Sequence, residues 1–199
     1  MQVNDVVNSR YSTVYFDTDD FKLYTQHHNG KLNRYKVRTR RYEDSNINFF
    51  EIKFKTNTKR TIKKRIQTNT FSEKINPKRQ NFIDNNSNLE QEELNPKINV
   101  LYNRATLVSK ELNERLTIDT CLNFESKNNT ANFAEIAIIE IKRNRGLKSY
   151  ADIVLRDNGI YPRSISKYCL GISSLYENVK KNNFKLKFNS IKKLCYENV

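Results

Sequence analysis

The sequence is poor in the residues that form metal sites and disulfide frameworks. Its 199 residues include no tryptophan, three cysteines and two histidines. Cys121, Cys169 and Cys195 lie far apart, so their spacing predicts free thiols in a reducing compartment rather than a metal-ligand pair. The adjacent His27 and His28 would point in different directions on any regular element, so we do not expect them to share a metal ion.

Long apolar runs are also missing. No run approaches the length that spans a membrane, and the N-terminus has no signal-peptide hydrophobic region. We therefore expect an intracellular, cytoplasmic chain without a membrane span. Attachment to the inner face of a membrane through a membrane partner protein stays open at this point.

Acidic residues are in deficit as well. The chain has 22 Asp and Glu against 36 Lys and Arg, which gives a formal net charge of +14. Such an excess favours a polyanionic partner. The hydrophobic fraction of 37%, with eleven Tyr and eleven Phe, is enough for the core of a single domain over residues 1–199.

The stretch from Arg34 to Tyr42 carries its cations at every second position. Side chains of a strand alternate between two faces, so this spacing predicts a strand with one cationic face. That face holds Arg34, Lys36, Arg38 and Arg40, whereas Tyr35, Val37 and Thr39 lie on the other. A row of like charges repels itself unless anions lie among the side chains. The sequence therefore predicts that this strand binds anionic groups.

Four further segments repeat this alternation. Each has one aliphatic or aromatic face and one ionic face, and cations outnumber anions on the ionic faces. In residues 48–55, for example, Phe50 and Ile52 oppose Glu51 and Lys53. The other three segments are residues 101–107, 115–119 and 138–143.

Two architectures satisfy the pattern. One is an open antiparallel sheet with its apolar face on helices and its ionic face in water. The other is a barrel with a charged lumen and outward apolar faces covered by helices and loops. The abundance of arginine favours the barrel, because the planar guanidinium suits bidentate contact with phosphate oxygens.

The remaining segments are less regular. A first strand is expected over residues 11–17 and another, with Lys63 and Arg65 on one face, over residues 59–67. Residues 71–97 are polar and irregular and are predicted to form an insertion. A helix is expected from residue 147 to 157, stopping near Asn158-Gly159, and residues 170–199 are predicted to form a C-terminal helical segment.

Eight short motifs occur in an order typical of a known family. They are residues 12–18, 36–40, 50–53, 63–65, 102–104, 115–119, 139–142 and 166–168. Together they resemble the VTC (vacuolar transporter chaperone) domain, the catalytic part of polyphosphate polymerases, in the CYTH/triphosphate tunnel metalloenzyme superfamily. The resemblance implies an α+β fold: an antiparallel β-barrel, the triphosphate tunnel, with flanking helices.

The resemblance also implies a site. ATP and polyphosphate would bind in the tunnel, and Glu140 would hold Mn²⁺ or Mg²⁺, which prefer oxygen ligands. No residue is assigned as a catalytic acid or base. The residues that would contact phosphate are Arg38, Arg40, Lys53, Lys63, Tyr102, Arg104, Arg115, Ser166 and Lys167.

Three of these assignments have simpler alternatives. Glu140 could form a salt bridge to lumen cations, and Arg115 could pair with Asp119 across the sheet. Ser166 and Lys167 could begin a solvated helix. Family members also open with a strand bearing a Glu/Lys motif that residues 1–10 do not match, so the resemblance implies an N-terminally truncated domain with an exposed sheet edge.

Four functions compete on this basis. The leading interpretation is a metal-dependent polyphosphate polymerase, and the second is a hydrolase of triphosphate or polyphosphate. The third is a catalytically inactive polyphosphate sensor. The fourth, a nucleic-acid binder, is unlike the others in class. It is disfavoured because most aromatic residues are expected on the face opposite the cations, where they could not stack bases.

Overall fold

Eight antiparallel strands form one sheet in the computed structural model, which describes residues 8–110, 114–144, 146 and 149–196. The sheet order is β4-β3-β2-β1-β5-β6-β7, and β8 pairs with β6 beside β7. The strands are β1 (Asn8–Asp17), β2 (Arg34–Tyr42), β3 (Ile47–Lys55), β4 (Thr61–Thr68), β5 (Asn95–Val108), β6 (Glu114–Glu125), β7 (Thr130–Phe133) and β8 (Ile138–Arg143).

In the part of the chain that the structure describes, five helices flank the sheet. They are α1 (Lys22–His28), α2 (Pro77–Asp84), α3 (Tyr150–Asp157), α4 (Lys167–Leu175) and α5 (Lys185–Tyr196), with a 3₁₀ turn at Asn182–Phe184. The expected helix near residues 147–157 is confirmed from Tyr150 to Asp157, where Asn158 and a positive-φ Gly159 end it. No helix in the described ranges is long and apolar enough to cross a membrane.

The sheet is curled into a tunnel. Lys142, Arg104 and Lys53 together lower the pKa of Glu140 on β8. Lys53 thus lies near that carboxyl, although four strands separate β3 from β8 in the sheet order. The antiparallel tunnel fold expected from the sequence is confirmed. Its closure differs from the expected barrel, because the described residues form no hydrogen-bonded ladder between β4 and β8.

The two outer strands β4 and β8 both carry cations: Lys63, Lys64 and Arg65 on β4, and Lys142 and Arg143 on β8. Charged side chains on an edge strand disfavour pairing with a further strand. The expected absence of a family first strand concerns residues 1–10, of which residues 1–7 lie outside the described part of the chain.

Apolar residues on the convex face form one core. Val14, Phe16, Val37, Phe50 and Ile52 pack there with Leu23, Ile83, Leu89 and Leu94, all nearly inaccessible to solvent. The segment between β4 and β5, which contains α2, supplies the last three. Burial of each such side chain contributes roughly 1.5–3 kcal/mol. The convex core therefore fixes which face of β1 to β3 points into the tunnel.

Helix α2 is positioned by a buried arginine. Asn76 caps the helix by accepting from the backbone N–H of Arg79 at 3.0 Å. The Arg79 guanidinium is buried and donates to the carbonyl oxygens of Ser72 and Lys74 at 2.7 and 2.6 Å. These bonds tie the loop after β4 to the helix that covers the convex core.

Helix α4 covers one end of the concave face. Its residues Tyr168, Leu170 and Ile172 pack against Tyr15, Ile98, Val100, Leu122 and Phe124. The fit is close, because a Cβ atom at Gly171 would lie 2.6 Å from Phe124 Cδ1. Packing of α4 therefore places the N-terminus of α4 in the tunnel, where Ser166 and Lys167 meet Lys36 and Asp119.

A bulge in β6 changes which residues face the tunnel. Cys121 has a φ of 53°, and the register with β5 shifts at the same point. Before the bulge, Thr117 and Asp119 face the concave side, whereas Leu122 and Phe124 do so after it. One strand thus contributes an ionic half to the tunnel and an apolar half to the core under α4.

Candidate functional site

The cationic face of β2 lies inside the tunnel, and each cation on it has a different partner. Lys36 Nζ donates to Ser166 Oγ at 2.8 Å. Arg40 Nε donates to Thr13 Oγ1 at 3.1 Å. Arg38 donates to the carboxylate of Glu51 on β3. Alternation along β2 therefore delivers three neighbouring cations to one concave surface.

Glu51 is a buried anion between two cations. Its side chain has no solvent exposure, and its Oε2 lies 2.7 Å from Arg38 Nε and 2.6 Å from Arg38 Nη2. Lys63 Nζ contacts the other oxygen. Burial alone would raise the pKa of Glu51, but Arg38 and the Lys63 hydrogen bond lower it to about 2. Glu51 is therefore ionised and holds both cations in place.

Asp119 has the same role on the other wall. Arg104 Nη2 donates to Asp119 Oδ2 at 2.7 Å, Arg104 Nε donates to Oδ1, and Lys167 Nζ contacts Oδ2. Burial opposes ionisation, but these contacts hold the pKa of Asp119 below its usual value. The alternative pairing of Asp119 with Arg115 is wrong, because alternation assigns a face and says nothing of partners across strands.

Aromatic rings lie among the cations. Tyr11 and Tyr102 stack with ring centroids 5.2 Å apart, and the guanidinium of Arg104 lies 5.3 Å from both centroids. Arg40 lies 5.7 Å from the Tyr11 centroid, and Lys167 lies 4.9 Å from that of Tyr102. The interpretation that aromatic residues oppose the cations is thus wrong for this wall, since β1 brings its tyrosines to the cationic face.

Tyr102 has a free hydroxyl. Its side chain is 3% exposed, and within the described structure its hydroxyl has no hydrogen-bond partner. Burying a hydroxyl without a hydrogen-bond partner destabilises the protein, and a hydrogen bond to a ligand oxygen would remove that penalty.

The neighbouring Tyr15 hydroxyl is surrounded by cations and accepts from Arg38 Nη1 at 3.1 Å. Burial would raise the pKa of Tyr15, but Arg38, Arg40, Lys36 and Lys53 lower it to about 7.

Three lysines form a row next to these pairs. Lys36, Lys53 and Lys63 are opposite one another across β2, β3 and β4. Arg38 and burial together lower the pKa of Lys53 to about 7. Burial also lowers the pKa values of Lys36 and Lys63. The lowered values mean that the protonated form of these lysines is disfavoured in the free protein, so a bound anion would stabilise it.

Ser166 and Lys167 lie in the tunnel rather than in solvent. Ser166 caps α4 by accepting from the backbone N–H of Cys169 at 3.3 Å and also accepts from Lys36. Lys167 is 15% exposed and is bound to Asp119. The alternative of a solvated helix start is therefore wrong, because packing of α4 buries this end against β2 and β6.

Glu140 and Arg115 lie nearer the open end. The Glu140 side chain is half exposed and lies 3.2 Å from Lys142 Nζ. Burial would raise its pKa, but Lys142, Arg104 and Lys53 lower it. An exposed pair of this kind is weak, so the carboxylate stays available. Arg115 is exposed, opposite Lys142 across β6 and β8.

The predicted site residues thus fall into two groups. One group shares a contact network on the tunnel walls, and Glu140 and Arg115 lie beside it toward the open end. Sequence reasoning did not find Lys36, Glu51, Asp119, Tyr11 and Tyr15 as site residues, although the first three lie on ionic faces that alternation identifies. The network comprises Arg38, Arg40, Lys53, Lys63, Tyr102, Arg104, Ser166 and Lys167.

Comparison with protein families agrees with this geometry. A family model described as the VTC domain matches residues 2–176. The chain belongs to the VTC domain family. No curated protein matches it.

One of the solved structures found by comparison resembles this VTC domain in fold, at low sequence identity. HpAC1 from Hippeastrum, described as a proposed adenylyl cyclase with a dominant triphosphatase activity, has a TM-score of 0.53 and 12% identity, covering 87% of this chain and 86% of that one. The PH1819 protein from Pyrococcus horikoshii OT3 has a TM-score of 0.44 and 12% identity, covering 85% of each chain. The VTC domain thus has the triphosphate tunnel fold, and its family connects it with polyphosphate or triphosphate.

The resemblance to triphosphate tunnel metalloenzymes implied a divalent metal ion, so we asked whether this VTC domain has the ligands. No group of three or more His, Cys, Asp and Glu side chains comes together within the described ranges. Glu140 is nevertheless an accessible, ionised carboxylate on the tunnel wall. Mg²⁺ commonly binds one or two carboxylates together with water and substrate phosphates. The residues present fit a metal ion that phosphate oxygens help to hold.

Proposed function

We propose that this VTC domain is a metal-dependent polyphosphate polymerase that transfers the γ-phosphoryl group of ATP to a polyphosphate chain in the tunnel. The observation that supports this most is the excess of cations on the tunnel walls, where buried Glu51 and Asp119 are each shared by two cations. Lys53 has a pKa of about 7 in the same space. Binding of an anion with many charged oxygens would reduce the electrostatic repulsion among these cations.

The substrate phosphates would add contacts to guanidinium groups that Glu51 and Asp119 already hold in place. Arg38, Arg40 and Arg104 offer planar forks for bidentate contact with phosphate oxygens. The hydroxyl of Tyr102, which has no partner in the described structure, would donate a hydrogen bond to a phosphate oxygen. Glu51 and Asp119 would keep the guanidinium groups oriented, so that little reorganisation accompanies binding.

Phosphoryl transfer in this site needs positioning and charge neutralisation more than acid–base chemistry. A terminal oxygen of the polyphosphate chain would attack the γ-phosphorus of ATP, and the bond from that phosphorus to the β-phosphate oxygen would break, leaving ADP. The attacking oxygen is already anionic, so no side chain is required as a base. Glu140 would hold Mn²⁺ or Mg²⁺, and the bound ion would supply charge neutralisation at the phosphate oxygens.

The experiment is product analysis from γ-³²P-labelled ATP with Mn²⁺, with and without a polyphosphate primer. Label in long polyphosphate supports the polymerase. Lys63→Gln should reduce turnover, whereas Lys64→Gln is the matched control, because Lys64 is adjacent on the same strand and faces outward opposite Ile52. Primer binding without any label transfer would indicate a sensor and contradict the polymerase proposal.

A hydrolase is the second candidate, and the open seam between β4 and β8 favours it. Water can reach the tunnel through such an opening and could replace the phosphate chain as acceptor. The same experiment separates the two functions. Release of labelled orthophosphate at the same rate with and without primer, and no labelled polymer, would identify the hydrolase.

A further inference from the structure

Three half-buried aromatic rings lie at the open end of the tunnel, near the turn between β2 and β3. The ring of Tyr42 lies 4.9 Å from that of Tyr11, tilted by 57°. On its other side it meets Phe49 at 5.9 Å, nearly perpendicular. Tyr11 continues inward by stacking on Tyr102. We call Tyr11, Tyr42 and Phe49 the mouth cluster.

Core packing does not account for the whole mouth cluster. Tyr42 and Phe49 belong to neither apolar core, and only Tyr11 touches one of them. Phe49 lies opposite Arg40 across β2 and β3, which places it on the cationic face of the sheet. Two rings thus line the concave surface at its rim without filling a core.

Guanidinium groups surround the mouth cluster. Arg65 lies over the ring of Phe49 at 4.3 Å, and Arg40 and Arg104 lie 5.7 and 5.3 Å from the centroid of Tyr11. Rings interleaved with arginines are the arrangement by which proteins stack nucleobases while holding their phosphates. The two arginines beside Tyr11 also lead inward to Arg38 and Asp119.

We propose that the mouth cluster stacks the base of a nucleoside triphosphate while the triphosphate extends inward to Arg40 and Arg104. This inference rests on the proposed function, since it requires phosphate in the tunnel. A nucleotide fits better than a nucleic-acid strand, because the arginines beside Tyr11 lie inside the tunnel, where they would meet a triphosphate that extends inward from the stacked base. Inorganic tripolyphosphate would reach the same cations without gaining the stack.

The test compares ATP and inorganic tripolyphosphate by titration calorimetry, without metal, on the full chain. Tyr42→Leu and Phe49→Leu each remove a ring. Tyr42→Phe keeps the ring, and Tyr161→Leu is a control at a 63% exposed tyrosine outside the cluster. We expect Tyr42→Leu and Phe49→Leu to weaken ATP binding by roughly tenfold, the size of one base stack. Tripolyphosphate binding should change less than about twofold, and Tyr42→Phe and Tyr161→Leu should leave ATP binding unchanged.

The outcomes separate the inference from the proposed function. If wild-type protein binds no tripolyphosphate, the proposed function fails, and the inference fails with it. If it binds tripolyphosphate, but both ring deletions weaken ATP and tripolyphosphate equally, the inference alone is overturned. It is also overturned if an adenylate oligonucleotide binds more tightly than ATP and loses that affinity in Tyr42→Leu, because the mouth would then recognise nucleic acid.

Discussion

Arg38 and Glu51 face each other across β2 and β3 and form the most deeply buried ion pair of the tunnel that the structure describes. Arg38 is 4% exposed, Glu51 is fully buried, and Arg38 Nε donates to Glu51 Oε2 at 2.7 Å. Two charges leave water at a cost of several kcal/mol, which only close pairing offsets. The pair therefore ties the stability of the sheet to the charge balance of the site.

Removing the Glu51 charge should destabilise the empty protein. We expect Glu51→Gln to lower the free energy of unfolding by about 3–5 kcal/mol, because Arg38 would stay buried without its counter-ion. Glu90→Gln, at an exposed position, is the control. Urea titration measures both, and added tripolyphosphate should recover part of the loss. If Glu51→Gln lowers the free energy of unfolding by less than about 1 kcal/mol, Glu51 is not the counter-ion that stabilises the buried Arg38.

The Glu51 carboxyl also makes the free energy of unfolding depend on pH in the acid range. Its pKa is lowered from 4.5 to about 2, so its stabilisation is fully present above pH 4.5 and is lost as the pH falls through about 2. The wild-type protein should therefore lose this part of its stability over that window. Glu51→Gln should show a correspondingly flatter dependence on pH.

The two faces of β4 provide a direct test of phosphate binding. Lys63 contacts Glu51 inside the tunnel, whereas its neighbour Lys64 faces outward. We expect Lys63→Gln to weaken tripolyphosphate binding by about 1.5–3 kcal/mol at low salt, the value of a charge-assisted contact. Lys64→Gln should have little effect. Equal losses in the two variants would mean that the affinity reflects only the net charge of the domain.

Lys53 predicts proton uptake on binding. Arg38 and burial lower its pKa from 10.5 to about 7, so at pH 8 most of the free protein has a neutral Lys53. A bound anion favours the protonated form, so tripolyphosphate should bind with uptake of a proton and more weakly as the pH rises above 7. Calorimetry at pH 8 in two buffers measures the uptake. If Lys53→Met takes up as many protons as wild type, Lys53 is not the group concerned.

Asp17 is expected to be the main polar anchor of the end of the sheet that α1 and α4 cover. It accepts from the backbone N–H groups of Leu23 and Tyr24 at 2.8 and 2.9 Å and from the Tyr168 hydroxyl. Asp17→Ala should cost about 3 kcal/mol of unfolding free energy, since it leaves several buried donors without partners. Asp19→Ala is the exposed control. A cost for Asp17→Ala no larger than that of the control would show that α1 and α4 are held by apolar packing alone.

Alternation in the sequence predicted the tunnel faces where strands are regular. Arg38 and Arg40 lie inside because Val37 and Thr39 must pack on the convex side, and a period of two admits no other solution. The order of the family motifs then predicted the antiparallel tunnel fold. Both inferences depend on local spacing, which the sequence displays directly.

Other features depend on pairing across strands, which spacing does not encode. Asp119 binds Arg104 and Lys167 because the β5–β6 register and the packing of α4 bring them together. The bulge at Cys121 changes which residues of β6 face the tunnel. A glycine at this position would have indicated the positive φ, but the residue is a cysteine. Tyr11 faces the tunnel because the registers of β1 with β2 and β5 place it opposite Tyr42 and Tyr102.

The central claim is that cations bind phosphate in the tunnel while Glu140 holds a metal ion against it. The most direct measurement is titration calorimetry of tripolyphosphate with Glu140→Gln and Arg104→Ala, with and without Mn²⁺. Glu140→Gln removes an anion from a cationic space, so metal-free binding should stay equal or tighten while the Mn²⁺ enhancement disappears. Arg104→Ala should weaken binding by about 1.5–3 kcal/mol under both conditions. If Glu140→Gln weakens metal-free binding as much as Arg104→Ala does, Glu140 is a structural ion-pair partner, and the account of the metal site is wrong.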